Sequence, residues 1–138
     1  MLDERWVFHE NAKAEPAGEG VVRRVLAYSK DLMCVENTFE TGAEGKLHHH
    51  PHTQITYVVS GVFEFNIDGE IKTVKAGDTM LKLNGVEHGC VCKERGILLD
   101  IFNPCGKISY KNVYFSLWGR RPRKKRLRSS LQWKGIRG

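Results

Sequence analysis

The sequence predicts an all-β, single-domain fold, an antiparallel sandwich or barrel, and three observations carry that expectation. At 138 residues the chain suits one domain and is too short for two. Residues 21–102 form a string of short β-rich runs separated by turn residues at close, regular spacing. No part of that region sustains helical periodicity.

The elements follow in order. The first twenty residues are less defined, with an edge strand expected at 5–9 and a Glu15-Pro16-Ala17-Gly18 linker, so residues 1–20 read as an N-terminal extension. Strands are then expected at 21–29, 32–40, 54–60, 62–67, 70–75, 78–83, 86–92 and 97–102. Asp68-Gly69 between two alternating runs is a hairpin signal, and Ala76-Gly77-Asp78 and Asn84-Gly85 mark two further turns. In Val62-Phe63-Glu64-Phe65-Asn66-Ile67 apolar and polar residues alternate, so one face is buried and the other wet. The barrel is placed at residues 21–104.

Composition narrows the function classes. Hydrophobic content of 41% with 28% charged residues suits a soluble globular chain, and no apolar run approaches the ~20 residues of a membrane span. Met1-Leu2-Asp3-Glu4-Arg5 puts acids where a signal peptide carries bases, so a cytoplasmic location is expected. The net charge of +6 describes a tail and not the fold. Residues 1–104 hold 11 basic and 16 acidic side chains, a balance of −5, whereas residues 105–138 hold 11 basic ones and no acid. An acidic barrel does not invite a nucleic-acid reading, and neither a specific nucleic acid nor a membrane is expected as partner. Residues 105–138 read as a basic C-terminal tail, and a like-charge block such as Arg120-Arg121-Pro122-Arg123 usually means a solvated, disordered segment. Cys34, Cys90, Cys92 and Cys105 form no Cys-x-x-Cys pair, and packing is preferred to metal binding for all four.

Six histidines are present, four of them in His48-His49-His50-Pro51-His52. In an extended segment His48 and His50 project the same way. Gln54 opens an apolar strand four residues later, where its amide oxygen could reach the same point, and His88 lies in a later strand. Three imidazoles and an amide oxygen make a divalent metal site with positions left open. His49 has the wrong parity and His52 lies beyond a proline, so both are expected to be exposed or to stand behind the ligands. His9 is given no role. Asp100 interrupts the apolar run Ile97-Leu98-Leu99-Asp100-Ile101-Phe102. On the residues alone, a solvated face and a functional acid weigh equally.

The spacing resembles the cupin family. Its first motif is met by Gly42, five residues, His48-x-His50, three residues, Gln54, six residues and Gly61. The second is met by Gly77, five residues, Leu83-x-Gly85, two residues and His88, with Cys92 closing it. Gln54 replaces the usual Glu, Leu83 the usual Pro and Cys92 the usual Asn. The resemblance implies a double-stranded β-helix, or jelly-roll barrel, holding one divalent metal ion (Ni, Zn, Mn or Fe) on His48, His50, Gln54 and His88. Gln54 is neutral, so the ion keeps its full charge for an anionic ligand. His-Pro-His-x-Gln-Ile-Thr-Tyr-Val, with Phe-Glu-Phe-x-Ile-Asp-Gly-Glu downstream, is similar to the KdgF-like pectin-degradation branch. That branch implies an isomerase or tautomerase that opens 4,5-unsaturated uronates from pectin or alginate to linear keto acids, with a small anionic sugar as partner. Its Asp-x-Phe implies catalytic roles for Asp100, as general base, and for Phe102, as a pocket wall. Homodimers are common among similar small cupins. A cupin oxygenase and a non-catalytic sugar- or metal-binding cupin are the competing readings.

The same branch closes with Pro-x-Arg-Glu-Asp-Phe-Leu, whereas here Pro104 precedes Cys105-Gly106-Lys107-Ile108-Ser109-Tyr110-Lys111-Asn112. Those eight residues can be written TGC-GGG-AAG-ATT-TCC-TAC-AAG-AAC. Read one base earlier, the letters give Leu, Met or Val and then Arg-Glu-Asp-Phe-Leu-Gln-Glu. A reading-frame shift near the Pro104 codon is therefore expected, with weakened activity because Gly106 stands where the branch carries a carboxylate-gripping arginine. The competing reading is a genuine basic arm for nucleic acid or anionic lipid.

Overall fold

The computed structural model describes residues 3–103, and the expectations for Cys105, Gly106 and the rest of the basic tail lie outside them. Among the described residues, eight strands follow one short 3-10 turn at His9–Asn11: β1 (Glu15–Pro16), β2 (Val21–Tyr28), β3 (Met33–Phe39), β4 (Glu44–His48), β5 (Gln54–Ile67), β6 (Glu70–Lys75), β7 (Thr79–Lys82) and β8 (His88–Phe102). Every pairing among them is antiparallel. The order is β1-β2-β3-β8-β5-β6, with β4 added to β8 and β7 to β5, so the sheet closes on a single interior as a β-barrel. No helix among the described residues is long and apolar enough to cross a membrane.

Two strands organise this arrangement. β5 and β8 run for 14 and 15 residues, where the sequence pattern suggested two separate strands each. Each stays continuous because a glycine lets the two cross at contact distance. A Cβ built on Gly96 would lie 2.1 Å from the Ser60 carbonyl oxygen and 2.6 Å from Gly61 Cα. One built on Gly61, whose φ is +84°, would lie 2.5 Å from Gly96 Cα. The pairing register shifts through this crossing, between Val58 and Phe63. Each long strand can then serve two partners. β5 pairs β7 through residues 54–57 and β6 through residues 62–67. β8 pairs β4 near His88 and β3 from Gly96 onwards.

The N-terminal region differs from its expected form. No strand forms at 5–9; the first pairing is Glu15 with Arg23 and Pro16 with Val22, inside the expected linker. Proline has no N–H to donate, and an edge position of the sheet accommodates it. β4 was not foreseen as a strand either, because its residues do not alternate between buried and exposed.

Inward positions divide into an apolar and a polar set. Val21, Phe39, Val58, Phe63, Phe65, Met80, Cys90, Cys92 and Leu98 form one hydrophobic cluster. Phe39 and Phe63 meet edge to face there, with centroids 5.3 Å apart. Cys90 and Cys92 are packing thiols, as their alternation suggested. Outside that cluster, inward strand positions carry the polar residues Arg23, Asn37, Gln54, Thr56, Lys82, His88 and Asp100, beside Met33, Val35 and Phe102, all buried.

The crossing makes a contrast in stability. Gly96→Ala should lower unfolding stability by about 3 kcal/mol or more, since backbone and not a side chain must yield. Gly77→Ala, at φ +94° with open space around its missing Cβ, should cost only about 1–2 kcal/mol. Urea unfolding midpoints of the two variants check this, and equal losses would contradict it.

Candidate metal centre

His48 ends β4 and is the direct cross-strand partner of His88, the first residue of β8. His50 follows in the loop that enters β5 and turns inward, only 3% exposed. The Gly85 N–H donates to the His50 carbonyl at 2.9 Å, tying this loop to the turn before His88. The three rings gather as a result: centroids lie 4.6 Å apart for His48 and His88, 5.1 Å for His50 and His88, and 5.4 Å for His48 and His50. One ligand atom from each lies within 4.8 Å of the other two, a group that could hold a metal ion.

The protonation pattern suits that use. Nδ1 of His48 donates to the Lys46 carbonyl at 2.5 Å, and Nδ1 of His88 to the Val86 carbonyl at 3.2 Å. Backbone acceptors at Nδ1 put the lone pair on Nε2, the orienting arrangement typical of metal-ligating histidines. The His50 imidazole is held well below its ordinary proton affinity, by burial first and then by His88, His48, His52 and Lys82 around it. Neutral imidazole is the form that ligates.

Gln54, the first residue of β5, is fully buried. Its Nε2 donates to Asp100 Oδ1 at 2.9 Å and to Thr56 Oγ1 at 3.2 Å. Its Oε1 is buried without a hydrogen-bond partner among the described residues. A buried amide oxygen in that condition is costly unless something outside the chain meets it. An oxygen-accepting cation is such a partner, so this donor set fits a divalent metal.

Asp100 is 1% exposed, which excludes the solvated-face reading. It accepts from Gln54, from Thr56 Oγ1 at 2.5 Å on Oδ1, and from Asn37 Nδ2 at 2.8 Å on Oδ2. Phe102 is buried on the same face of β8, with its ring 5.9 Å from that of His52. His52 is buried and not exposed, 5.1 Å from the His50 ring. Burial pushes its imidazole down to about 2, opposed by a hydrogen bond with the Asn103 backbone, so it stands neutral behind the cluster. His49 is exposed, and His9 bonds Glu36 on the surface.

Sequence reasoning missed Asn37, Thr56 and Lys82, which surround Asp100 directly or at one remove. The available signal was parity. Asn37 follows Met33 and Val35 at inward positions of β3, Thr56 follows Gln54 in β5, and Lys82 follows Met80 in β7.

Replacing a ligand should empty such a site while sparing the barrel. His50→Ala should reduce bound divalent metal by about tenfold or more, with the β-rich circular dichroism retained. Full metal content by elemental analysis would contradict the place given to His50.

The chain is similar to known proteins in sequence and in fold. The family model described as Cupin domain matches residues 35–102. The pectin degradation protein KdgF of Dickeya dadantii (strain 3937) is 38% identical over 102 residues, which span 72% of this chain and 93% of that protein. Among solved structures, an RmlC-like cupin from Shewanella frigidimarina is 43% identical with a TM-score of 0.72, covering 75% of this chain and 93% of its own. KdgF from a Halomonas species is 32% identical with a TM-score of 0.71, covering 74% and 94%.

Proposed function

Because the chain belongs to the cupin family, in its KdgF-like branch, we propose that it is a metal-dependent enzyme of pectin or alginate breakdown. In this reading it opens 4,5-unsaturated uronates to linear keto acids, with His48, His50, Gln54 and His88 holding one divalent ion. Two observations carry it, a buried Gln54 oxygen without a partner among the described residues and three gathered histidines, in a chain similar to a pectin-degradation protein over nearly its whole length.

The substrate is a cyclic hemiacetal with an enol ether and a carboxylate at one end. Opening it removes the proton of the anomeric hydroxyl, expels the ring oxygen as an enolate and returns a proton to carbon, so product and substrate are isomers. A bound divalent ion supplies Lewis acidity to the departing oxygen and charge to hold the carboxylate. Asp100 takes the hydroxyl proton: three donors hold its carboxylate in one orientation, and Oδ2, which accepts from Asn37, carries a second lone pair. Phe102, buried on the same face of β8 as Asp100, serves as an apolar wall beside the reacting end. His52 and Asn103 brace the His50 loop against the end of β8, with Thr53 N–H donating to Asn103 Oδ1 at 3.0 Å.

An ultraviolet assay tests the reading, because lyase products lose their conjugated-alkene absorbance only on ring opening. The metal-loaded protein should abolish that absorbance, and Asp100→Asn, reloaded with metal, should be slower by about 10²–10⁴-fold. Oxygen consumption without absorbance loss would assign an oxygenase, and ligand binding without turnover a non-catalytic module. The reading-frame shift near Pro104 belongs to the same proposal. Sequencing the gene across that codon should find one base gained or lost, and restoring the frame should raise turnover about tenfold or more. A confirmed sequence with efficient turnover would overturn that part.

A further inference from the structure

Lys82 is a cation 1% exposed inside the barrel, at an inward position of β7, and neither the metal ligands nor the proposed base account for it. Its Nζ lies 4.6 Å from the centroid of the Phe65 ring and donates to Thr56 Oγ1 at 2.6 Å. Thr56 Oγ1 donates onward to Asp100 Oδ1, and Gln54 Nε2 donates to both of those oxygens.

The direction of each bond in this chain follows from its two ends, a donor-only ammonium at Lys82 and an acceptor-only carboxylate at Asp100. An ammonium has three donors and no acceptor. The Thr56 hydroxyl therefore cannot aim its proton at Lys82, and aims it at Asp100. Thr56 and Asp100 then present only lone pairs to the Gln54 amide. The amide must answer with nitrogen, which leaves Oε1 on the far side, buried and without a partner among the described residues.

We propose that Lys82 is a positioning residue of the metal centre: acting through Thr56, its donor-only head holds the Gln54 amide with oxygen, not nitrogen, facing the cation. The proposal rests on Gln54 being a metal ligand. Without Lys82, the Thr56 proton is released to rotate, Gln54 keeps Asp100 Oδ1 but loses the second of its two fixed acceptors, and a larger fraction of the protein presents an NH₂ group that cannot ligate. Partners that orient a metal ligand in this way typically account for about 10–100-fold in metal affinity.

The test is competition between a chelator and the full-length, metal-stripped chain for Ni²⁺. Gln54→Ala serves as the reference variant, and urea unfolding of each metal-free protein runs alongside. Lys82→Met and Thr56→Val should each weaken Ni²⁺ binding about 10–100-fold. The double variant should lose no more than either single one, because both act along one path. Thr56→Val is close to isosteric and keeps the test open if Lys82→Met fails to fold. Wild-type affinity in Lys82→Met or Thr56→Val, with affinity lost in Gln54→Ala, overturns the positioning role. Wild-type affinity in Gln54→Ala overturns the ligand reading beneath it. Losses that add in the double variant also contradict the proposal, since a structural defect at each site would behave that way.

Discussion

A carboxylate inside a β-barrel is tolerable only where donors surround it, and the interior of this protein is arranged around that constraint at Asp100. Donors reach it from two neighbouring strands, Asn37 from β3 and Gln54 and Thr56 from β5. Lys82 from β7 stands one bond further out. The same contacts that satisfy the acid also fix the Gln54 amide, so the proposed base and the proposed fourth ligand are two ends of one network. On the proposed function, Asp100 and the metal centre are therefore coupled, and a change at Asp100 would act on ligand geometry as well as on proton transfer.

That network exists because β5 and β8 each run through the whole barrel. Gly61 and Gly96 let them cross at backbone contact. Beyond the crossing, Phe63, Phe65, Cys90 and Cys92 build the apolar cluster; before it, Gln54 and Thr56 face Asp100 and Phe102 across the pairing. Hydrophobic packing and the polar site thus share two strands. The first residue of β8 belongs to the gathered histidines, and β4 adds His48 by pairing directly with His88. A divalent ion on the three histidines would tie the start of β8 to the end of β4 and the loop that enters β5.

Much of this was legible in the sequence where spacing alone determines direction. His48 and His50 two apart, Gln54 at the head of an apolar run and His88 after a glycine turn all lead to one place, and the structure brings the three histidines together. Asp100 was legible as an acid out of place in an apolar strand. Lys82 and Thr56 were not, because this end of the barrel inverts the usual pattern. Ile55, Leu81 and Ile101 face outward at 48%, 55% and 37% exposure, while Gln54, Thr56, Lys82 and Asp100 face inward. Hydrophobicity then points to the wrong face, and only alternation from Met80 or Val58 assigns the right one. β4 carries no alternation at all, and the continuity of β5 and β8 depends on a backbone contact between residues 35 apart that no local pattern records.

The most direct measurement of the central claim is anomalous diffraction from crystals of the metal-loaded protein. The account predicts one strong peak at about 2.0–2.3 Å from Nε2 of His48, His50 and His88 and from the Gln54 oxygen, with the Gln54 nitrogen on Asp100. A metal that leaves Gln54 uncoordinated, or a Gln54 amide turned away from Asp100, would contradict it.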